Sequence, residues 1–126
     1  MGSRGSFVDV SSGNYSFTDN GQNYYSLGTL SSDSNVKVLV QNSGSVKAPE
    51  FSHTAERIYA TTQDGVLKHL TYYDANHKQA ISIDLTIPHN GMLPHKHLYL
   101  DHTTAYPLTD SEIALIKKIR KEFHLK

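Results

Sequence analysis

Apolar and polar residues alternate most clearly over residues 78–87. Ile81, Ile83, Leu85 and Ile87 fall on one side of this stretch, and Ser82, Asp84 and Thr86 on the other. A period of two predicts a strand with one face on a core and the other in polar surroundings. The alternation returns over 95–100, where Leu98 and Leu100 are expected to turn one way and His95, His97 and Tyr99 the other. Upstream, strand-like residues 57–63 and 66–73 flank Asp64-Gly65, a strong signal for a two-residue hairpin turn. Asp74-Ala75-Asn76-His77 marks a second turn. The β-branched run 36–40 (VKVLV), closed by Asn42-Ser43-Gly44, predicts a further strand. Residues 49–56 have no clear period, and either Ser52 or Thr54 could cap a short helical turn there.

From Thr109 the period changes. Thr109-Asp110-Ser111-Glu112 is a capping box, with Thr109 as N-cap and Glu112 three residues on. Ile113, Ile116, Ile119, Arg120 and Phe123 follow at helical spacing. Acidic residues open this helix, and Lys117, Lys118, Arg120 and Lys121 come later, matching its dipole and reading as a solvated face. Residues 8–35 are rich in Ser, Gly, Asn and Tyr and read as a linker or loosely packed arm. Phe17, Tyr24, Tyr25, Leu27 and Leu30 are available within it to dock on a core. Met1-Gly-Ser-Arg-Gly-Ser6 resembles a vector-derived leader, so the chain reads as a domain cut from something larger. The expected fold is α+β: a small curved antiparallel β-sheet meander with a C-terminal α-helix and a loosely structured N-terminal arm. Residues 1–35 form the tag remnant and flexible arm, and 36–126 the compact domain.

Composition narrows the function classes. A chain of 126 residues supports one modest core. It has no cysteine, which removes disulfides and thiolate metal sites. Twelve basic residues balance twelve acidic ones, so binding nucleic acid through bulk charge is disfavoured. An enzyme touching a few phosphates remains compatible with that balance. No apolar run reaches membrane-spanning length and no signal-peptide pattern opens the chain. A monomer without membrane contact is expected. Eight histidines make the charge sensitive to pH near neutrality.

Four of those histidines crowd one stretch. Residues 87–101 read IPHNGMLPHKHLYLD and hold His89, His95 and His97, with His102 next in the chain. Pro88, Gly91 and Pro94 constrain the loop carrying His89. Cleavage of RNA without a metal needs a base for the 2′-OH, an acid for the leaving 5′-oxygen, and a donor for the phosphoryl charge. Two imidazoles suit the proton transfers at neutral pH. His95 and His97, with His89 third, are the catalytic candidates. Lys68, His69, Lys78 and Tyr99 are candidates for substrate contact, whereas Lys96 should face away from its histidine neighbours. Asp84, on the polar face before the loop, could orient an imidazole; Asp74 reads as a turn residue. No cofactor is required by this scheme.

Two other readings fit the same residues. His95 and His97 with His89 or His102 could form a three-nitrogen zinc site with an open position, although no HExxH motif accompanies the HxH pair. Alternatively the histidines are polar surface residues of a phage or cell-surface structural module. His53 and His124 are assigned to surface or packing roles, and His77 to an exposed turn.

The succession Asp64-Gly65-Val66-Leu67-Lys68, Tyr72-Tyr73-Asp74-Ala75-Asn76, Ile83-Asp84, His89-Asn90-Gly91 and Pro94-His95-Lys96-His97 resembles the C-terminal toxin modules of bacterial polymorphic and phage-borne toxins. Those modules are grouped with the barnase–EndoU–colicin–RelE superfamily of small ribonucleases. The likeness covers roughly residues 53–126 and rests on the Tyr-Asp-x-Asn turn and the Pro-His-x-His signature. It implies a compact α+β fold, metal-independent RNA cleavage and a cognate immunity protein that blocks the site. It also implies secretion or delivery by the producing bacterium or phage, with action in the target-cell cytoplasm.

Overall fold

The structure is a computed structural model that describes residues 7–9, 15–41, 44–86, 95–99 and 104–126. His89 and His102, and the Pro88–Pro94 loop, lie outside the described residues. Eight strands are described: β1 (Phe7–Asp9), β2 (Tyr15–Asp19), β3 (Gln22–Thr29), β4 (Val36–Gln41), β5 (Ile58–Gln63), β6 (Val66–Tyr73), β7 (Gln79–Asp84) and β8 (His95–Leu98). One helix follows, α1 (Asp110–Phe123). The strands form one sheet in chain order, giving the small α+β architecture expected from the pattern.

One pairing departs from a pure meander. β4 and β5 run parallel, with Val36 opposite Ile58 and Val38 opposite Ala60, whereas the other neighbouring pairs are antiparallel. Parallel neighbours cannot be joined by a hairpin, so the chain must return to its starting end between them. It does so as an irregular strap, described from residue 44, that lies on one face of the sheet. No helical turn forms at 49–56; Phe51 makes a single bridge with Lys78 instead.

Turn chemistry sets the antiparallel pairs. Asp64 and Gly65 both have positive φ (55° and 75°), as do Asn20 and Gly21 (51° and 81°). That is the mirror-image backbone whose twist matches two flanking strands. The second of these turns joins β2 to β3 and brings residues 15–29 into the sheet, where Phe17 and Tyr24 are buried and Tyr25 and Leu27 remain exposed. Asp74 folds the next turn by accepting from the Asn76 and Lys78 backbone N–H groups at 2.8 and 3.0 Å.

The two faces of the sheet are covered differently. On one, Val36, Val38, Ala60, Leu70 and Ile83 pack against Ile116 and Ile119 of α1. Complete burial of each isoleucine side chain is worth roughly 1.5–3 kcal/mol. The helix begins at the expected capping box: the Glu112 N–H donates to Thr109 Oγ1 and the Thr109 N–H to Glu112 Oε1. It ends at His124, in a left-handed conformation, after which Lys126 pairs with Gly65 and Leu67. On the other face, Phe17, Tyr24, Leu39, Tyr59 and Tyr73 form an aromatic cluster beneath the strap. The Tyr24 and Tyr73 hydroxyls donate to the carbonyls of Lys47 and Pro49, and Asp19 accepts from the Glu50 N–H at 2.7 Å. Among the described residues, no helix is long and apolar enough to cross a membrane.

Candidate active site

Strand register builds the site. Antiparallel pairing sets His69 opposite Asp84 and Asp84 opposite His95, one row across β6, β7 and β8. The next row on the same face is Thr71, Ser82 and His97. Two positions separate the rows along each strand, so all six side chains leave the sheet on the side of the strap. Lys96, between the histidines, is on the helix side, where its ammonium meets both Glu112 oxygens at 3.1 Å.

A cavity of about 400 Å³ opens over these rows. His69, Thr71, Ser82, Asp84 and His97 line its floor, and Lys47 and Glu50 of the strap line its wall. Gln79 bridges floor and wall, donating to the Pro49 carbonyl and accepting from Ser82 Oγ, both at 3.0 Å. Among the described residues, no group of three His, Asp or Glu side chains is arranged to hold a metal ion.

The two imidazoles on the cavity floor each have one ring nitrogen against a backbone carbonyl. His97 Nδ1 lies 2.7 Å from the Thr104 carbonyl oxygen, which can only accept. Nδ1 therefore carries the proton, and in the neutral ring Nε2 holds the lone pair. His69 is set the other way, with Nε2 3.3 Å from the Val46 carbonyl, which leaves the lone pair on Nδ1. The Thr104 segment is itself anchored: Tyr106 exchanges both backbone hydrogen bonds with Lys96, at 2.9 and 3.0 Å. His97 is thus held by a chain segment that is locked to its own strand.

The other sequence candidates are distributed around this centre. His95 is 2% exposed and packs edge-on against His97, ring centroids 4.8 Å apart. It does not line the cavity. Lys68 occupies the β6 irregularity where the pairing with β5 slips one residue, and its carbonyl accepts from the Leu85 N–H. Lys78 is exposed in the turn before β7. Tyr99, expected to share a face with His97, instead leaves the strand at φ 50° and is 70% exposed. Neither lysine nor Tyr99 lines the cavity. His77, expected to be exposed, is half-buried, with Nδ1 2.7 Å from the Ser52 carbonyl.

Sequence reasoning passed over Thr71 and Ser82, although both stand two positions from a singled-out residue on a polar strand face. Lys47 and Glu50 gave no signal, because the strap has no periodicity. No family model, curated protein or solved structure matches the chain.

Proposed function

We propose that the domain is a ribonuclease of the toxin type, cutting RNA by metal-independent histidine acid–base chemistry in this cavity. The observation that carries the reading is that His69 and His97 face one cavity, each with its tautomer set by a backbone carbonyl. They sit two strands and one row apart, about 12 Å between backbones on the diagonal, an interval that two imidazoles and an intervening phosphodiester can fill. His97 Nε2 takes the proton of the 2′-OH, and the 2′-oxygen attacks phosphorus. The bond to the 5′-oxygen breaks as that oxygen takes the Nδ1 proton of His69. His69 enters the step as the imidazolium, with its Nε2–H on the Val46 carbonyl, and leaves it as the neutral ring. Lys47 faces the charge that grows on the phosphoryl oxygens. Asp84 stands beside both His69 and His95 in the register and orients the row; His95 backs His97. The products are a 2′,3′-cyclic phosphate and a 5′-hydroxyl.

A toxin of this kind requires delivery into a target cell and a cognate immunity protein in the producer. The site, open on one side of the sheet, offers such an inhibitor a place to block. The test is incubation of the purified domain with total cellular RNA in EDTA, beside His97→Ala and His69→Ala. Cleavage that persists in EDTA, leaves 2′,3′-cyclic phosphate ends and falls by about 10²–10⁴ in each variant is expected. RNA left intact under every condition would sink the ribonuclease reading and favour a structural module. Cleavage abolished by EDTA would replace it with a metal-dependent hydrolase.

A further inference from the structure

The opposite face of the sheet holds a second cavity, of about 130 Å³, lined by Leu85, Leu108, Ile113, Ile116, Lys117 and Arg120. Four aliphatic side chains give it an apolar floor. Lys117 and Arg120, three residues apart on α1, share one helix face and bring positive charge to its edge. Among the described residues neither has an ion-pair partner, and Arg120 Nε is buried without a hydrogen bond. Leaving a buried guanidinium donor unsatisfied is costly, and its planar fork matches the two oxygens of a carboxylate. Ile113 stays 40% exposed, so the floor is reached from solvent.

Size completes the specification. An apolar cavity of about 150 Å³ takes up benzene, so this one suits a single small ring or a short branched chain. We propose that it binds a small apolar carboxylate, an aryl or short branched aliphatic acid. The tail rests on Leu85, Leu108, Ile113 and Ile116, and the carboxylate meets Arg120 and Lys117. This site does not depend on the ribonuclease reading. It adjoins the candidate active site through the chain itself, because Leu85 directly follows Asp84 and its N–H donates to the Lys68 carbonyl at 3.0 Å.

The test is titration of the ¹⁵N-labelled full chain with sodium benzoate at constant ionic strength, followed by amide chemical shifts. Benzyl alcohol serves as the neutral analogue of the same size. Saturable shifts confined to residues around Leu85, Leu108 and 113–120 are expected with benzoate and not with benzyl alcohol. Arg120→Gln is expected to weaken binding about tenfold or more, the scale of one charged hydrogen bond. Lys117→Gln, at an exposed position, provides the same charge test should Arg120→Gln disturb the fold. Absence of saturable shifts, equal shifts from benzyl alcohol, or unchanged affinity in a folded charge variant would each overturn the proposal.

Discussion

The same strands present two unlike faces. Toward α1, alternate positions carry Val36, Val38, Ala60, Leu70 and Ile83, and Lys96 is paired with Glu112. Toward the strap, the intervening positions carry Tyr59, Thr61, His69, Thr71, Ser82 and His97, and the covering chain is held largely by hydrogen bonds. One face is closed by burial of aliphatic surface, which is non-directional and tolerant of small shifts. The other is closed by directional bonds to backbone carbonyls, which hold polar side chains at defined positions around an open space. A period of two divides the residues between them: an aliphatic core with α1 on the helix side, an aromatic cluster and the polar cavity on the strap side.

That division can be broken most severely at Glu112. It caps α1 and neutralises Lys96, the side-chain exposures of the pair being 7% and 13%. Glu112→Ala leaves a buried ammonium without its partner, and urea denaturation is expected to show a loss of about 3–5 kcal/mol. Lys96→Met combined with Glu112→Gln removes both charges while keeping a capping side chain, and most of the loss should be recovered. A small loss in the single variant would mean that the Lys96 ammonium is tolerated on the helix side without its carboxylate partner.

A smaller effect separates neighbours on β7. Ile83 is fully buried toward the helix, and Ile83→Ala should cost about 2–5 kcal/mol. Ser82, the residue before it, faces the cavity, and Ser82→Ala should change stability by less than about 1 kcal/mol. Equal losses in thermal or urea melts would erase the distinction between the faces.

The smallest effect is a difference in alkaline titration. Tyr72 and Tyr73 are adjacent and point to opposite faces. Burial, with the nearby charges of Glu112 and Asp33, pushes the Tyr72 phenol up to about 12. Burial raises Tyr73 well above its ordinary value, with Tyr59, Asp19 and Tyr24 adding to the effect. Above pH 10 the unfolded chain releases phenolic protons that the folded chain retains, so the folded state loses stability as pH rises toward the folded values. Below pH 10 these phenols contribute no slope. Phenolate absorbance in Tyr72→Phe should lack a component titrating near 12, while Tyr73→Phe should retain it.

Where side chains follow a period, the sequence foretold the structure closely. The Asp64-Gly65 turn and the capping box at Thr109 each rest on a few neighbouring residues and form as expected. The alternation expected over 78–87 forms a strand over Gln79–Asp84, with Ile87 outside the described residues. The same alternation sent Lys96 away from His95 and His97, to Glu112. Asn20-Gly21 was equally readable as a hairpin, but the polar composition around it pointed to an arm. There the cross-strand partners Phe17 and Tyr24 bury their rings on a tyrosine cluster 35–56 residues downstream, a distant contact invisible to local pattern. The strap escaped for a similar reason. Its place depends on hydrogen bonds to residues as far away as Asp19 and Gln79, so the cavity wall exists only once the sheet does. His69 joined the histidines of β8 by register, through β7, rather than by any spacing along the chain.

The parallel neighbours β4 and β5 also bear on how fast the chain can fold. They cannot zip outward from a turn as β5 and β6 do; the strap between them must close as a long loop before the first ladder bond forms. α1 adds contacts of still greater separation, as where Ser31 Oγ meets Glu122 across 91 residues. Chain entropy spent before such contacts form slows folding, which puts this domain with the millisecond-to-second folders of high contact order rather than with helical bundles. The hairpin at Asp64-Gly65, whose contacts are local, is expected to form early and the strap wall of the cavity late, an order that φ-values from substitutions in each would test.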